Sequence, residues 1–195
     1  MIATNRYGIF GGTFDPVHNG HIHLVEKLRD SNLFTQLIVV PAGEPWQRPT
    51  IASAPHRLEM VRRACEDLDV EISDCEVKRH APSYAIETVR ELKAEFGPAE
   101  FSWILGSDAL IGIESWNSIR ELASEVDFVA ISRPGFVINP ELIPDFVRWR
   151  VLEIGALAIS ATEVRRALRE GRDISTMIPH KVSSYIKENG LYGAA

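Results

Sequence analysis

The feature that most constrains this chain is a regular alternation of short apolar runs with segments of helical period. Runs at 7–11, 37–40, 70–73, 101–105 and 126–131 read as strands, with one or two more short strands between 151 and 159. Between them, 19–30 sets His21, Leu24, Val25 and Leu28 on one helical face, and Pro55 opens a helix through Leu58, Val61, Cys65 and Leu68. Ser83 reads as the N-cap of a helix carrying Ile86, Val89, Leu92 and Phe96, ended by Gly97 and Pro98. Ser115 reads as the cap of a helix over 116–124, and a weaker helical segment covers 141–149. The capping box SATE at 160–163 starts a helix that stops at Gly171, and a last helix runs over 179–189 to Gly190. Strands joined through helices must run parallel with right-handed crossovers. The expected fold is therefore α/β: a single-domain, Rossmann-like, doubly wound parallel sheet with helices on both faces. Its 195 residues suit one domain, with a C-terminal helical part over about 160–195.

In such a sheet ligands bind at the carboxyl ends of the strands, beside the point where strand order reverses. The stretch GGTFDPVHNGH, residues 11–21, follows the first strand and so lies at such an end. Glycines without a Cβ let backbone N–H groups approach an anion, and the start of the next helix adds a positive dipole end, so phosphate is the expected guest. The dipeptide Gly-Lys occurs nowhere and the glycines do not fit G-x-G-x-x-G, which argues against a P-loop NTPase and an ordinary dinucleotide dehydrogenase. His18 and His21, three apart, face the same way on a first helical turn. A zinc site needs a third ligand, which neither His23 nor Asp15 is placed to supply, so no protein-held metal is expected. The segment 41–55, with four prolines, can only be a long loop.

A formal charge of -6 argues against general affinity for nucleic acid or an anionic membrane. With no apolar stretch near membrane-spanning length and no signal pattern at 1–10, a soluble cytoplasmic protein is expected. Cys65 and Cys75, the only cysteines, suggest neither a disulfide framework nor a zinc site. Oligomeric state cannot be read from these residues, which leaves a homo-oligomer open.

The first-turn stretch resembles the (T/H)-x-G-H signature of the nucleotidyltransferase superfamily, and GGTFDPVHNGH resembles its nicotinate-nucleotide adenylyltransferase family. Further blocks match in the family's order: VPAGEPWQR at 40–48, APSYAIET at 81–88, LGSDAL at 105–110, SW at 115–116, SRPG at 132–135 and ISATEVR at 159–165. They run almost the whole chain. The resemblance implies transfer of an adenylyl group from ATP to nicotinate mononucleotide in NAD biosynthesis, with release of pyrophosphate. Mg²⁺ accompanies the polyphosphate, held mainly by substrate oxygens and water. The nucleophile is a phosphate already ionised at neutral pH, so positioning and charge stabilisation carry catalysis.

By that resemblance His18, His21 and Arg165 are the catalytic residues, holding charge on the α- and β-phosphates. Gly11, Gly12, Thr13 and Phe14 in the first turn, Arg48 in the proline-rich loop, Gly106, Asp108 and Arg133, and Ile159, Ser160 and Thr162 belong to ATP binding. Asp108 is similar to an aspartate that meets the adenosine ribose, and Arg133 would flank the adenine. Thr13, Tyr84, Ala85 and Trp116 would bind the mononucleotide, Trp116 by stacking on its pyridine ring. Two departures stand out. Glu-Pro-Trp-Gln-Arg replaces the common Pro-Pro-His-Lys, so the ATP loop closes differently, and Ala85 replaces a threonine whose hydroxyl touches the substrate carboxylate. The second leaves preference for acid over amide open. The nearest rival is a pantetheine-phosphate adenylyltransferase-like enzyme, which lacks the SRPG, tryptophan and ISATEVR blocks; a non-catalytic nucleotide-binding regulator is disfavoured by His18, His21 and Arg165. An aminoacyl-tRNA synthetase is disfavoured by acidity, size and the missing K-M-S-K-S segment.

Overall fold

The computed structural model describes residues 5–46, 49–132, 138–155 and 157–194. Its centre is a six-stranded sheet of β1 (Arg6–Gly12), β2 (Gln36–Pro41), β3 (Glu71–Ile72), β4 (Glu100–Gly106), β5 (Asp127–Ser132) and β6 (Trp149–Glu153). The order is β3-β2-β1-β4-β5-β6, every pair parallel. Order reverses between β1 and β4, so the crevice expected for a ligand opens above Gly12 and Gly106, the last residues of those two strands.

The helices are α1 (Asn19–Asp30), α2 (Ala54–Cys65), α3 (Cys75–Arg79), α4 (Ala85–Phe96), α5 (Ser107–Ile111), α6 (Ile119–Glu125), α7 (Ala161–Arg169) and α8 (His180–Glu188). Successive side chains of a strand point to opposite faces, so nearly continuous apolar strands feed two cores. Phe10, Val39, Ile104 and Val129 meet Val25 and Leu28 of α1, Met60 and Val61 of α2, Val164 of α7 and Val182 and Ile186 of α8. Ile9, Ile38, Trp103 and Phe128 meet Ile86, Val89 and Leu92 of α4, Leu110 of α5 and Leu122 of α6. Helices thus cover both faces, as the alternation requires. Among the described residues no helix is long and apolar enough to cross a membrane.

Local differences from the sequence reading have local causes. Ser115 does not cap a helix over 116–124; its hydroxyl donates back to the carbonyl of Gly112, closing a 3₁₀ turn at Ile113–Ser115, and α6 starts after Ser118 at φ 49°. No helix covers 141–149: Pro140 and Pro144 lack an N–H, a 3₁₀ turn spans Pro140–Leu142, and from Trp149 the backbone pairs with β5. Tyr84 rather than Ser83 is the N-cap of α4, because the Ser83 hydroxyl accepts the Glu44 N–H at 3.1 Å and is committed to the proline-rich loop. The five-residue α3 is too short to register as a period.

Candidate active site

The β1–α1 turn is shaped by what glycine leaves empty. A Cβ on Gly12 would lie 2.7 Å from the Phe14 ring, which stands at φ 50° after the strand, and a Cβ on Gly20 would lie 3.0 Å from the ring of His18. The peptide bond between Asp15 and Pro16 is cis. His18 is the N-cap of α1 in extended conformation, and His21, at the third helical position, returns its ring so that the His18 N–H donates to His21 Nδ1 at 3.2 Å. The two rings stack with centroids 3.7 Å apart, and Phe14 meets His21 edge-on at 5.0 Å. The sequence spacing anticipated this shared direction.

That hydrogen bond fixes a tautomer. With Nδ1 of His21 accepting, its proton sits on Nε2, which leaves a neutral N–H donor. Burial lowers the pKa of His18 to about 4 and holds His21 well below its usual value, with the nearby His18 as the second cause. At neutral pH both rings are uncharged in the free protein. Nδ1 of His18 is buried without a hydrogen-bond partner.

Opposite the pair, α7 begins at Ser160, whose hydroxyl accepts the Glu163 N–H at 3.2 Å. The expected capping box is half made, since the Glu163 carboxylate turns to Arg166 and Arg172 instead. Arg165 donates to the carbonyl of Asp15 at 2.6 Å and to the Thr162 hydroxyl at 3.2 Å, which aims it across the crevice toward the histidines. His18, His21, Phe14, Ile159, Ser160, Thr162 and Arg165 line one cavity of about 780 Å³, in which Arg165 is the only lysine or arginine among the described residues. Two neutral N–H donors, a guanidinium and a helix N-terminus make a receptor for a polyanion.

A second cavity, of about 240 Å³, lies on the other side of the turn and is lined by Gly11, Gly12, Ala85, Gly106, Trp103 and Trp116, among others. The Trp116 ring meets Trp103 edge-on at 6.1 Å. Thr13 is the one described residue that lines both cavities. Tyr84 does not line the second cavity but stands beside Trp46, which does, with ring centroids 6.3 Å apart. Asp108 lines neither. It is exposed in the first turn of α5, with Oδ1 only 2.5 Å from where a Gly106 Cβ would stand, so that glycine admits the carboxylate to the rim. Arg48 and Arg133 lie outside the described residues.

Three residues organise the site that the sequence reading did not assign to it: Arg57 and Tyr192 were passed over, and Asp15 was weighed only as a metal ligand. Arg57 of α2 is fully buried and donates to the carbonyls of Thr13, Ala42, Gly43 and Ala52, tying the first turn to the proline-rich loop. Desolvation lowers its pKa while Asp15 opposes that shift. Asp15 accepts the N–H groups of Ile51 and Ala52 and the hydroxyl of Tyr192. The signal for Arg57 was present: it shares the apolar stripe of α2 with Met60, Val61 and Cys65. Nothing local marks the partnership of residues 15 and 192.

Among the described residues no group of three or more His, Cys, Asp or Glu is placed to hold a metal ion. A cytidylyltransferase-like family model matches residues 9–167. The chain is 36% identical to a probable nicotinate-nucleotide adenylyltransferase of Leifsonia xyli subsp. xyli, and 38% identical to one of Acidothermus cellulolyticus; each match covers 96% of this chain and 94% of the relative. In fold it resembles Plasmodium falciparum nicotinic acid mononucleotide adenylyltransferase complexed with NaAD, with a TM-score of 0.82, 23% identity and 98% of both chains covered.

Proposed function

The chain belongs to the cytidylyltransferase-like family, in its nicotinate-nucleotide adenylyltransferase branch, and we propose that it joins ATP to nicotinate mononucleotide in NAD biosynthesis. The products are nicotinate adenine dinucleotide and pyrophosphate. One observation carries the reading: a polar cavity holding Arg165 and an aromatic cavity meet at Thr13. That is the arrangement needed to bring a nucleotide polyphosphate and a heteroaromatic mononucleotide together at one phosphorus.

In the step proposed, an ionised phosphate oxygen of the mononucleotide attacks the α-phosphorus of ATP, and the bond to the oxygen bridging the α- and β-phosphates breaks. Pyrophosphate leaves with the bonding electron pair. No base is required, and the chain supplies orientation and charge. Thr13 and the amides of Gly11 and Gly12 hold the incoming phosphate. Nε2–H of His21 donates to the transferring group, and His18 and Arg165 face the charge that builds on the leaving oxygens, with Ser160 and Thr162 at the start of α7 beside them. Arg48 and Arg133 are assigned to the polyphosphate and the adenine by resemblance, as is Asp108 to the ribose. Mg²⁺ would be carried by phosphate oxygens and water, since among the described residues no acidic cluster is placed to cage it and the two carboxylates lining the polar cavity, Asp15 and Glu163, are engaged by Ile51, Ala52 and Tyr192 and by Arg166 and Arg172.

Pyrophosphate release tests this directly. Wild-type protein with ATP is expected to release it with nicotinate mononucleotide and not with phosphopantetheine; the reverse would move the chain to the pantetheine-phosphate branch. Nicotinamide mononucleotide in the same assay decides the preference that Ala85 leaves open. His21→Ala should keep the melting temperature within a few degrees and lose about 10²- to 10³-fold in kcat, the usual effect of deleting one preorganised donor. Near-normal turnover in that variant would remove His21 from the mechanism.

A further inference from the structure

Trp46 presents a large apolar side chain that is 46% exposed, two residues after a tied point of the proline-rich loop. Its neighbour Glu44 donates its N–H to the Ser83 hydroxyl at 3.1 Å and accepts the Ser83 N–H at 2.9 Å, so the loop is pinned to the chain entering α4. From there the indole reaches the wall of the aromatic cavity, where Trp103 and Trp116 form another part of the lining. Tyr84 backs it at 6.3 Å. The cavity is thus bounded by three indoles, one of which is left open to solvent.

The charge on that wall is as informative as its rings. The only ionisable side chain lining the cavity, among the described residues, is an acid, Glu76, which is buried and accepts the Thr88 hydroxyl at 2.6 Å; burial raises its pKa, against hydrogen bonds from Ser83 and Thr88 and the charge of Arg79 outside the lining, so the wall carries no cation. The adjoining cavity holds the arginine. A site meant only for the carboxylate and phosphate of a mononucleotide would be expected to carry a cation. The quaternised nitrogen of an oxidised pyridine nucleotide gives the ring itself a positive charge, and aromatic faces attract such a charge. The dihydropyridine form is neutral and keeps only the dispersion and apolar burial of that contact, without the attraction of a charge to the ring faces.

We propose that Trp46 is a specificity-determining wall of this cavity, closing on the ring opposite the other indoles, and that the cavity selects the cationic, oxidised pyridinium over its neutral reduced form. The proposal rests on the mononucleotide reading above. Its test compares kcat and KM for oxidised and reduced nicotinate mononucleotide, by pyrophosphate release, in wild type, Trp46→Leu and Trp46→Phe. Wild type is expected to favour the oxidised form in kcat/KM by about tenfold, within the range of a desolvated cation–π contact. Trp46→Leu should raise KM for the oxidised form about 2- to 30-fold and shrink the oxidised-to-reduced ratio at least about threefold, and Trp46→Phe should recover part of both. A melting curve of each variant checks the fold, which an exposed loop residue should leave intact. Equal use of the two forms by wild type, or an unchanged ratio in Trp46→Leu, overturns the proposal while leaving the adenylyltransfer reading standing. Absence of turnover with every pyridine mononucleotide overturns both.

Discussion

At the scale of the residue, the histidine pair sets a pH dependence whose sign follows from its burial. The pKa of His18 is lowered to about 4 in the folded protein from 6.5. Between those values the unfolded chain binds a proton that the folded chain refuses. The stability from keeping this ring neutral is therefore fully present above about pH 6.5 and is lost as pH falls through the folded value, by roughly 3 kcal/mol at most. His18→Gln should flatten the acid side of the stability curve, so that below pH 5 the variant melts closer to its neutral-pH temperature than wild type does; parallel curves would contradict the assignment. Ligand binding reverses the direction. On the proposed binding mode a polyphosphate beside the rings would raise their pKa, so ATP should bind with proton uptake near pH 6 and with little near pH 9, measurable by calorimetry in buffers of different ionisation heat. The identity of these two residues was legible in the sequence, because three-residue spacing on a first helical turn dictates a shared direction. Their tautomer was not, since it depends on one hydrogen bond between a cap amide and a returning ring.

At the scale of the element, strands and long helices were legible because each carries its own period and its own stop. The misread segments are those where a group is claimed by a partner that the period does not show, near in the chain for Ser115, which bonds to the Gly112 carbonyl, and far for others. Ser83 holds the proline-rich loop instead of capping α4, and the strand read between 151 and 159 begins at Trp149, where the backbone pairs with β5 instead of ending a helix. Two glycines separate stability from activity at this scale. A Cβ on Gly43 would lie 2.1 Å from the backbone oxygen of Glu76 in α3, a contact that only backbone movement relieves. Gly43→Ala should therefore cost about 1–3 kcal/mol, read by chemical denaturation. A Cβ on Gly106 meets instead the carboxylate of Asp108, which can swing away. Gly106→Ala should keep its denaturation midpoint and raise KM for ATP, if Asp108 serves the ribose; an unchanged KM would free that aspartate of the role.

At the scale of the whole molecule, the site is held by ties that span the chain. The Asp15 carboxylate gathers the amides of Ile51 and Ala52 and the hydroxyl of Tyr192, while its carbonyl orients Arg165. Burial and Asp15 both raise the pKa of Tyr192, so it stays a donor throughout the working pH range. Tyr192→Phe should leave one lone pair of a buried carboxylate unmet, cost about 1–3 kcal/mol and lower the melting temperature by several degrees, with KM for ATP rising through the loosened Arg165. No window of neighbouring residues encodes such a contact, which is why the doubly wound sheet could be read from the sequence and its clasp could not. The clasp has a consequence for biosynthesis. A nascent chain can lay down β1 and the glycine turn early, yet the clasp has to wait for residue 192 to clear the ribosome, so the pyrophosphate-releasing centre should mature only after that residue has emerged.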